Sequence, residues 1–193
     1  NFQKGTPEIK SIGSLAFGPD GVLFIGDSQG GAIFAVDTGD KTAPAEAARI
    51  SVDDVDEKIA AMLGGTAKDI RIYDLAVNPL SQNAYLSVSR AAAGTSPYII
   101  LRVTPAGDIS EFALKDVRYS KKELKHIVAA DKKDRRGRSL RSSAITDLAY
   151  HKGMLYVAGL SNEEFASSLR LTPFPFDASE RMASLEIYHA AHS

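Results

Sequence analysis

The sequence predicts an all-β fold assembled from repeated fans of short strands, and three observations predict it. The opening SIGSLAFGPDG at residues 11–21 returns as IYDLAVNPLSQ at 72–82 and again as ITDLAYHKG at 145–153. Each opening leads into a second strand pattern: VLFIGD at 22–27, AYLSVS at 84–89 and MLYVAG at 154–159. A third apolar pattern follows in every case, AIFAV, YIILRVT and SLRLT. A self-similar unit of several short strands is the mark of a repeat architecture. With strands of this length it points to a β-propeller, whose four-stranded blades stand round a central channel.

In the first repeat Leu15 and Phe17 alternate with Ser14 and Ala16, the period of a strand. Pro19, Asp20 and Gly21 make a turn, Pro presetting one φ and Gly accepting the positive φ of a reversal. The second strand is rich in β-branched and aromatic residues, Gln29 to Gly31 turn the chain, and a third strand completes a meander. Residues 37–48 are small, polar or proline and read as a connection. Over 51–63 the period changes: Val55, Ile59 and Leu63 fall at helical spacing, Asp53 or Asp54 offers a cap, and Gly64 with Gly65 supplies the stop. The second repeat has a longer middle turn, RAAAGTSP at 90–97, and PAGDISEFAL after it reads as a turn and a fourth, outer strand. Leu124, Ile127 and Val128 predict a second helix over 119–130. The basic run at 131–141 reads as a solvated connector to the third repeat, and SLEIYHA near the end reads as that repeat's outer strand.

The expected organisation is one propeller domain over 1–193, with blades near 11–50, 71–115 and 143–190 and helical insertions near 53–63 and 120–130. Leu15, Leu75 and Leu148 mark the same place in each repeat, further apart than the ~40–50 residues of a compact blade, and the insertions account for the excess. Propellers close with ~4 to 8 blades. Three blades leave apolar faces at both ends, so an incomplete ring is expected, its remaining blades coming from a missing C-terminal segment or a second chain.

Composition narrows the function classes. A net charge of −1, from 23 basic and 24 acidic residues, gives no field that would steer the chain to nucleic acid, and the basic run carries no aromatics for base stacking. No apolar run of ~18 residues is present, so no membrane span is predicted and the chain reads as soluble. Zero cysteines exclude disulfides, thiolate catalysis and cysteine zinc sites. There is no phosphate-binding Gly-rich loop with its Lys and no G-x-S-x-G elbow. The start NFQKGTPEIK lacks both Met and the regions of a signal peptide; the expectation is a secreted or periplasmic protein with its leader removed, or otherwise a cytoplasmic one.

A short apolar strand, a PDG turn, a second strand ending in Gly26-Asp27-Ser28 and a third ending in Val36-Asp37 together resemble a blade of the NHL type. The chain is also similar to gluconolactonase-like and YVTN-like propellers. The resemblance is closest over 11–37 and covers 71–113 and 143–172 as well. It implies a propeller, six-bladed, and in the gluconolactonase branch a hydrolase-like activity supported by a divalent cation such as calcium.

Four residues are candidates for ligand binding. Asp74 and Asp147 share one repeat position, with Ser14 as its counterpart; on channel-lining strands they could hold a cation or polar substrate, or bond backbone N–H groups of a neighbouring turn. Arg90 and Asn162 leave the second strands of their repeats, where loops form a mouth of the ring. Arg90, with its fork of donors, is the candidate for gripping an anionic group. His189 and His192 form H-x-x-H, which on a helix puts both rings on one face; the alternation of LEIYHA reads as strand, so no metal site is assigned. His126 and His151 read as isolated surface or turn histidines. The favoured function is a ligand-binding propeller holding a small polar molecule or a partner loop at its channel mouth. The alternatives are a metal-dependent lactonase or sugar-acid hydrolase, in which a cation activates water, and a structural or assembly subunit.

Overall fold

The computed structural model describes residues 1–44, 49–91, 98–162, 167–176 and 185–186. The chain is mostly β, in three antiparallel sheets. The first repeat gives β2 (Leu15–Phe17), β3 (Val22–Asp27) and β4 (Ala32–Asp37), preceded by β1 (Gln3–Gly5). The helix α1 (Val55–Leu63) then leads to the second sheet: β5 (Ile70–Val77), β6 (Ala84–Arg90), β7 (Tyr98–Val103) and β8 (Ile109–Glu111). The strand β9 (Val117–Glu123) returns to the first sheet. The third sheet is β10 (Asp147–His151), β11 (Met154–Leu160), β12 (Ser167–Pro173) and β13 (Leu185–Glu186). Among the described residues no helix is long and apolar enough to cross a membrane.

The helix predicted over 119–130 is not there. Residues 117–123 are strand β9, paired along the whole of β4 and flanked by β1, so the first sheet runs β1-β9-β4-β3-β2. The unpaired backbone edge of β4 needs a partner, and supplying it outweighs a helical spacing that Leu124 and Ile127 satisfy by accident. Those two pack instead into the core between the first and third sheets, from an irregular segment. The fourth strand of the first fan therefore comes from beyond the second sheet, not from residues before position 50. At α1 the stop falls on Gly64, with φ of 71°, whose N–H donates to the Ala60 carbonyl; Asp54 sits at the N-cap without a side-chain cap hydrogen bond.

The turn between the first two strands of each repeat enters the left-handed region: Asp20 and Gly21, Gln82, and Lys152 and Gly153 have φ between 45° and 82°. Pro-Asp-Gly and His-Lys-Gly suit that geometry because the glycine carries no Cβ to clash.

The first sheet lies between the other two. One of its faces, with Ala16, Phe24 and Ile33, packs on Leu148 and Leu155 of the third sheet and on Phe174, which follows β12. Its other face, with Leu15, Ile25 and Phe34, packs on Tyr85 and Ile100 of the second. β3 is buried along its entire length, the pattern of a strand covered on both sides.

The two contacts use the same residues of the repeat. In each sheet a leucine of the first strand pairs with a residue of the second: Leu15 with Ile25, Leu75 with Leu86, Leu148 with Val157. The next position pairs an alanine with an aromatic: Ala16 with Phe24, Ala76 with Tyr85, Ala149 with Tyr156. The leucine face of the third sheet meets the aromatic face of the first, where Tyr150 lies 5.6 Å from Phe24 between ring centroids. The leucine face of the first sheet meets the aromatic face of the second, where Phe17 lies 5.1 Å from Tyr85. Among the described residues the three sheets do not close a ring. Phe24 is fully buried among Tyr150, Phe174 and Phe176, so Phe24→Ala should cost about 3–5 kcal/mol, read as a lower midpoint in urea unfolding.

Candidate functional site

The lead-ins to the three repeats converge at one end of the sheets, held by polar ties between neighbours. Ser87 of the second sheet donates to the Gly13 carbonyl (2.7 Å). Ser28 of the first sheet donates to the Ile145 carbonyl and accepts from the Ile145 N–H, at 3.2 and 3.1 Å. Arg141 spans the same junction, its Nε donating to the carbonyl of Ser28 (2.6 Å), Nη1 to Val128 (2.7 Å) and Nη2 to Gln29 (3.2 Å). Asp27, fully buried at the end of β3, accepts from the N–H groups of Lys10, Ser11 and Gly30 and from the Ser11 hydroxyl, so both of its oxygens are committed to fixing the entry segment.

Between these ties lies a cleft of about 100 Å³, lined by Ser11, Ile12, Gly13, Ser28, Gln29, Tyr73, Tyr98, Ser142 and Ile145. Among the described residues no charged side chain lines it. Its aromatic wall is a pair, Tyr73 and Tyr98, with ring centroids 5.6 Å apart and planes inclined by 44°. The Tyr73 hydroxyl lies 3.0 Å from Ser89 Oγ. Burial, and then the neighbouring Tyr73, raises the Tyr98 phenol above its ordinary pKa, keeping it a neutral hydroxyl. Tyr73 reaches this wall because the β5–β6 register slips between Ile72 and Asp74. Such a bulge turns two consecutive side chains to one face. Sequence reasoning missed Tyr73 for that reason: strict alternation assigns it the face opposite to Asp74, although it stands beside Asp74 in the repeat.

The four sequence candidates do not meet. Asp74 Oδ2 accepts from the Leu15 N–H of the first sheet (2.7 Å) and Oδ1 from its neighbour Leu75 (2.8 Å). Asp147 repeats the second bond, to Leu148 (2.8 Å), but is exposed, on the side of β10 opposite the buried Leu148. Arg90 lies beside α1 and its Nη1 donates to the Leu63 carbonyl (2.6 Å), satisfying the helix C-terminus. Asn162 is exposed and donates its backbone N–H to the His126 carbonyl (3.1 Å). His189, His192 and the loop 92–97 lie outside the described residues, among which no three His, Asp or Glu residues group as a metal site.

A second polar centre, not singled out from the sequence, sits at the far end of the second sheet. Asp40 Oδ2 accepts from Ser81 Oγ, Asn83 Nδ2 and Tyr85 Oη, at 2.8, 2.8 and 2.9 Å, and its backbone carbonyl accepts from Asn78 Nδ2 at 2.7 Å. Burial pushes the Asp40 carboxyl up, but the hydrogen bonds from Asn83, Ser81 and Tyr85 and the charge of Arg102 outweigh it and hold the carboxyl below its ordinary value. Burial and the adjacent carboxylate push the Tyr85 phenol up. The Asn-Pro-Leu-Ser-Gln-Asn run at 78–83 was the available signal, as a turn dense in donors.

No family model matches the chain, and no curated protein matches it. Among solved structures, a streptogramin B lyase structure is 11% identical over 97% of this chain and 73% of its own, with a TM-score of 0.28. The PQQ-bound form of aldose sugar dehydrogenase from Streptomyces coelicolor is 13% identical over 96% and 85%, with a TM-score of 0.29. At those scores neither likeness carries weight for the chemistry of this chain.

Removing Asp74 leaves the Leu15 N–H without its partner between two sheets. Asp74→Ala should therefore lower unfolding stability by about 1–3 kcal/mol in a denaturant titration, whether or not any ligand is present. Asp40 has its own signature. Its folded pKa lies below 3.8, so its contribution is complete above that pH and disappears as the pH falls through the depressed value. The stability gap between wild type and Asp40→Asn, followed by thermal unfolding across pH, should be widest above 3.8 and narrow steadily below it.

Proposed function

We propose that this chain is part of a ligand-binding propeller, and that the cleft over Tyr73 and Tyr98 holds a small, neutral, hydroxyl-rich molecule. One observation carries the reading: the cleft stands where the lead-ins to all three repeats converge, and its walls combine two tyrosine rings with the serines at 11, 28 and 142 and no charged group. Tyrosine faces pack against the C–H face of a sugar ring, while hydroxyls and backbone groups exchange hydrogen bonds with its rim. A charged ligand would find no counter-charge among the described residues of the lining. The carboxylates nearest the cleft, Asp27 and Asp74, are occupied by backbone N–H groups, which fits a pocket that positions a ligand. Its small volume suits one sugar ring or a short polyol.

The test is saturation-transfer NMR of the chain against a panel of monosaccharides, polyols and sugar acids. Neutral members should bind in preference to acids, and Tyr73→Ala should weaken binding at least tenfold while leaving the β-sheet circular dichroism unchanged. Equal binding by wild type and Tyr73→Ala would remove the cleft from consideration.

A further inference from the structure

The basic run before the third repeat folds into a β-hairpin with a braced tip. Lys133 pairs with Ser139 in an antiparallel bridge, and the Leu140 N–H donates to the Lys132 carbonyl (3.0 Å). Across the turn the Asp134 N–H donates to the Arg138 carbonyl (2.9 Å) and the Gly137 N–H to the Asp134 carbonyl (3.0 Å). Gly137, with φ of 77°, supplies the reversal. The Asp134 carboxylate braces the tip from inside: Oδ1 accepts from the N–H groups of Arg136 and Arg138 at 2.8 and 2.9 Å, and Oδ2 from Arg138 Nε at 2.7 Å. Arg141 anchors the base through its three carbonyl partners at the junction of the repeats.

This arrangement spends one carboxylate and one guanidinium on the turn. Lys132, Lys133, Arg135 and Arg136 are left exposed, none of them in an ion pair with a described residue. Like charges on a connector repel and extend it, whereas here the turn holds four cations together against that repulsion. We propose that the hairpin docks an acidic peptide segment of a partner protein, a short run of Asp and Glu whose carboxylates meet the guanidiniums of Arg135 and Arg136. The planar fork of an arginine matches a carboxylate with two parallel hydrogen bonds, and Lys132 and Lys133 add charge beside it. The rest of the chain selects among acidic partners. Residues 131–138 hold five basic and two acidic side chains, a charge of +3, so the remainder of a chain of net charge −1 carries −4. A nucleic-acid duplex or an anionic membrane extends past the hairpin and meets that negative remainder, and the tip offers neither an aromatic ring for a base nor an apolar side chain for a bilayer. A run of a few carboxylates touches the hairpin alone.

NMR titration of the isotope-labelled chain with a hexaglutamate peptide should shift the amide signals of 132–139, with an affinity that falls as salt is raised. Arg135→Ser with Arg136→Ser should weaken binding about tenfold. Lys68→Ser with Lys115→Ser removes the same charge from exposed positions elsewhere and should leave binding unchanged. Asp134→Ala separates a shaped hairpin from a mere concentration of charge: it makes the hairpin more positive, yet should bind the peptide more weakly because the tip loses its brace. Binding by Asp134→Ala as tight as wild type or tighter overturns the proposal. So do shifts centred outside the hairpin, or tighter binding of a DNA duplex or of phosphatidylserine vesicles than of the peptide.

Discussion

The rest of the fold depends on one contact, in which the leucine face of a sheet is laid against the alanine-aromatic face of its neighbour. It is made twice, by Leu148 and Tyr150 on Phe24 and by Leu15 and Phe17 on Tyr85, and it obliges the first sheet to be apolar on both sides. Burying each such side chain is worth about 1.5–3 kcal/mol, more than a typical net hydrogen bond of about 1 kcal/mol. Packing therefore sets which sheets are neighbours. The alanine paired with each aromatic leaves room for the ring, and the leucine beside that alanine in sequence points to the opposite face, so a shift of register by one residue would exchange the two faces.

Polar groups then decide how the packed sheets are aligned. Asp74 reaches the first strand of the neighbouring sheet, Ser87 and Ser28 reach the neighbouring lead-ins, and Asp40 gathers three donors from the second repeat's turn. Each bond satisfies a group that burial would otherwise penalise, which makes these ties specific even where their net strength is modest. The buried or half-buried charges described, Asp27, Asp40, Asp74, Arg90 and Arg141, hold backbone or hydroxyl partners.

The bulge at Tyr73 connects architecture to site. One slipped residue in β5 lets Tyr73 and Asp74 face the first sheet together, one forming the cleft wall and the other the tie that holds the wall in place. The same slip turns Ile72 and Leu75 together onto the opposite face, where both are exposed. A single local irregularity thus serves both the pocket and the exposed flank.

The strand repeats, the turns at Pro19–Gly21 and Lys152–Gly153, and the helix ending at Gly64 were legible in the sequence, because each depends on neighbours a few residues away: alternation, a positive φ, a cap. The shared position of Asp74 and Asp147 was legible too, and both do follow the same local bond to the next residue. Their separate fates were not. One is tied to another sheet and the other faces solvent, because the bulge and the identity of the neighbouring sheet lie beyond any window of sequence. Residues 117–123 make the same point: their own pattern favours a helix no less than a strand, and only the open edge of β4, far away along the chain, turns them into strand β9. Local stereochemistry writes the elements into the chain, whereas pairing edges and covering faces are interactions between distant segments, and these exist only once the fold has brought them together.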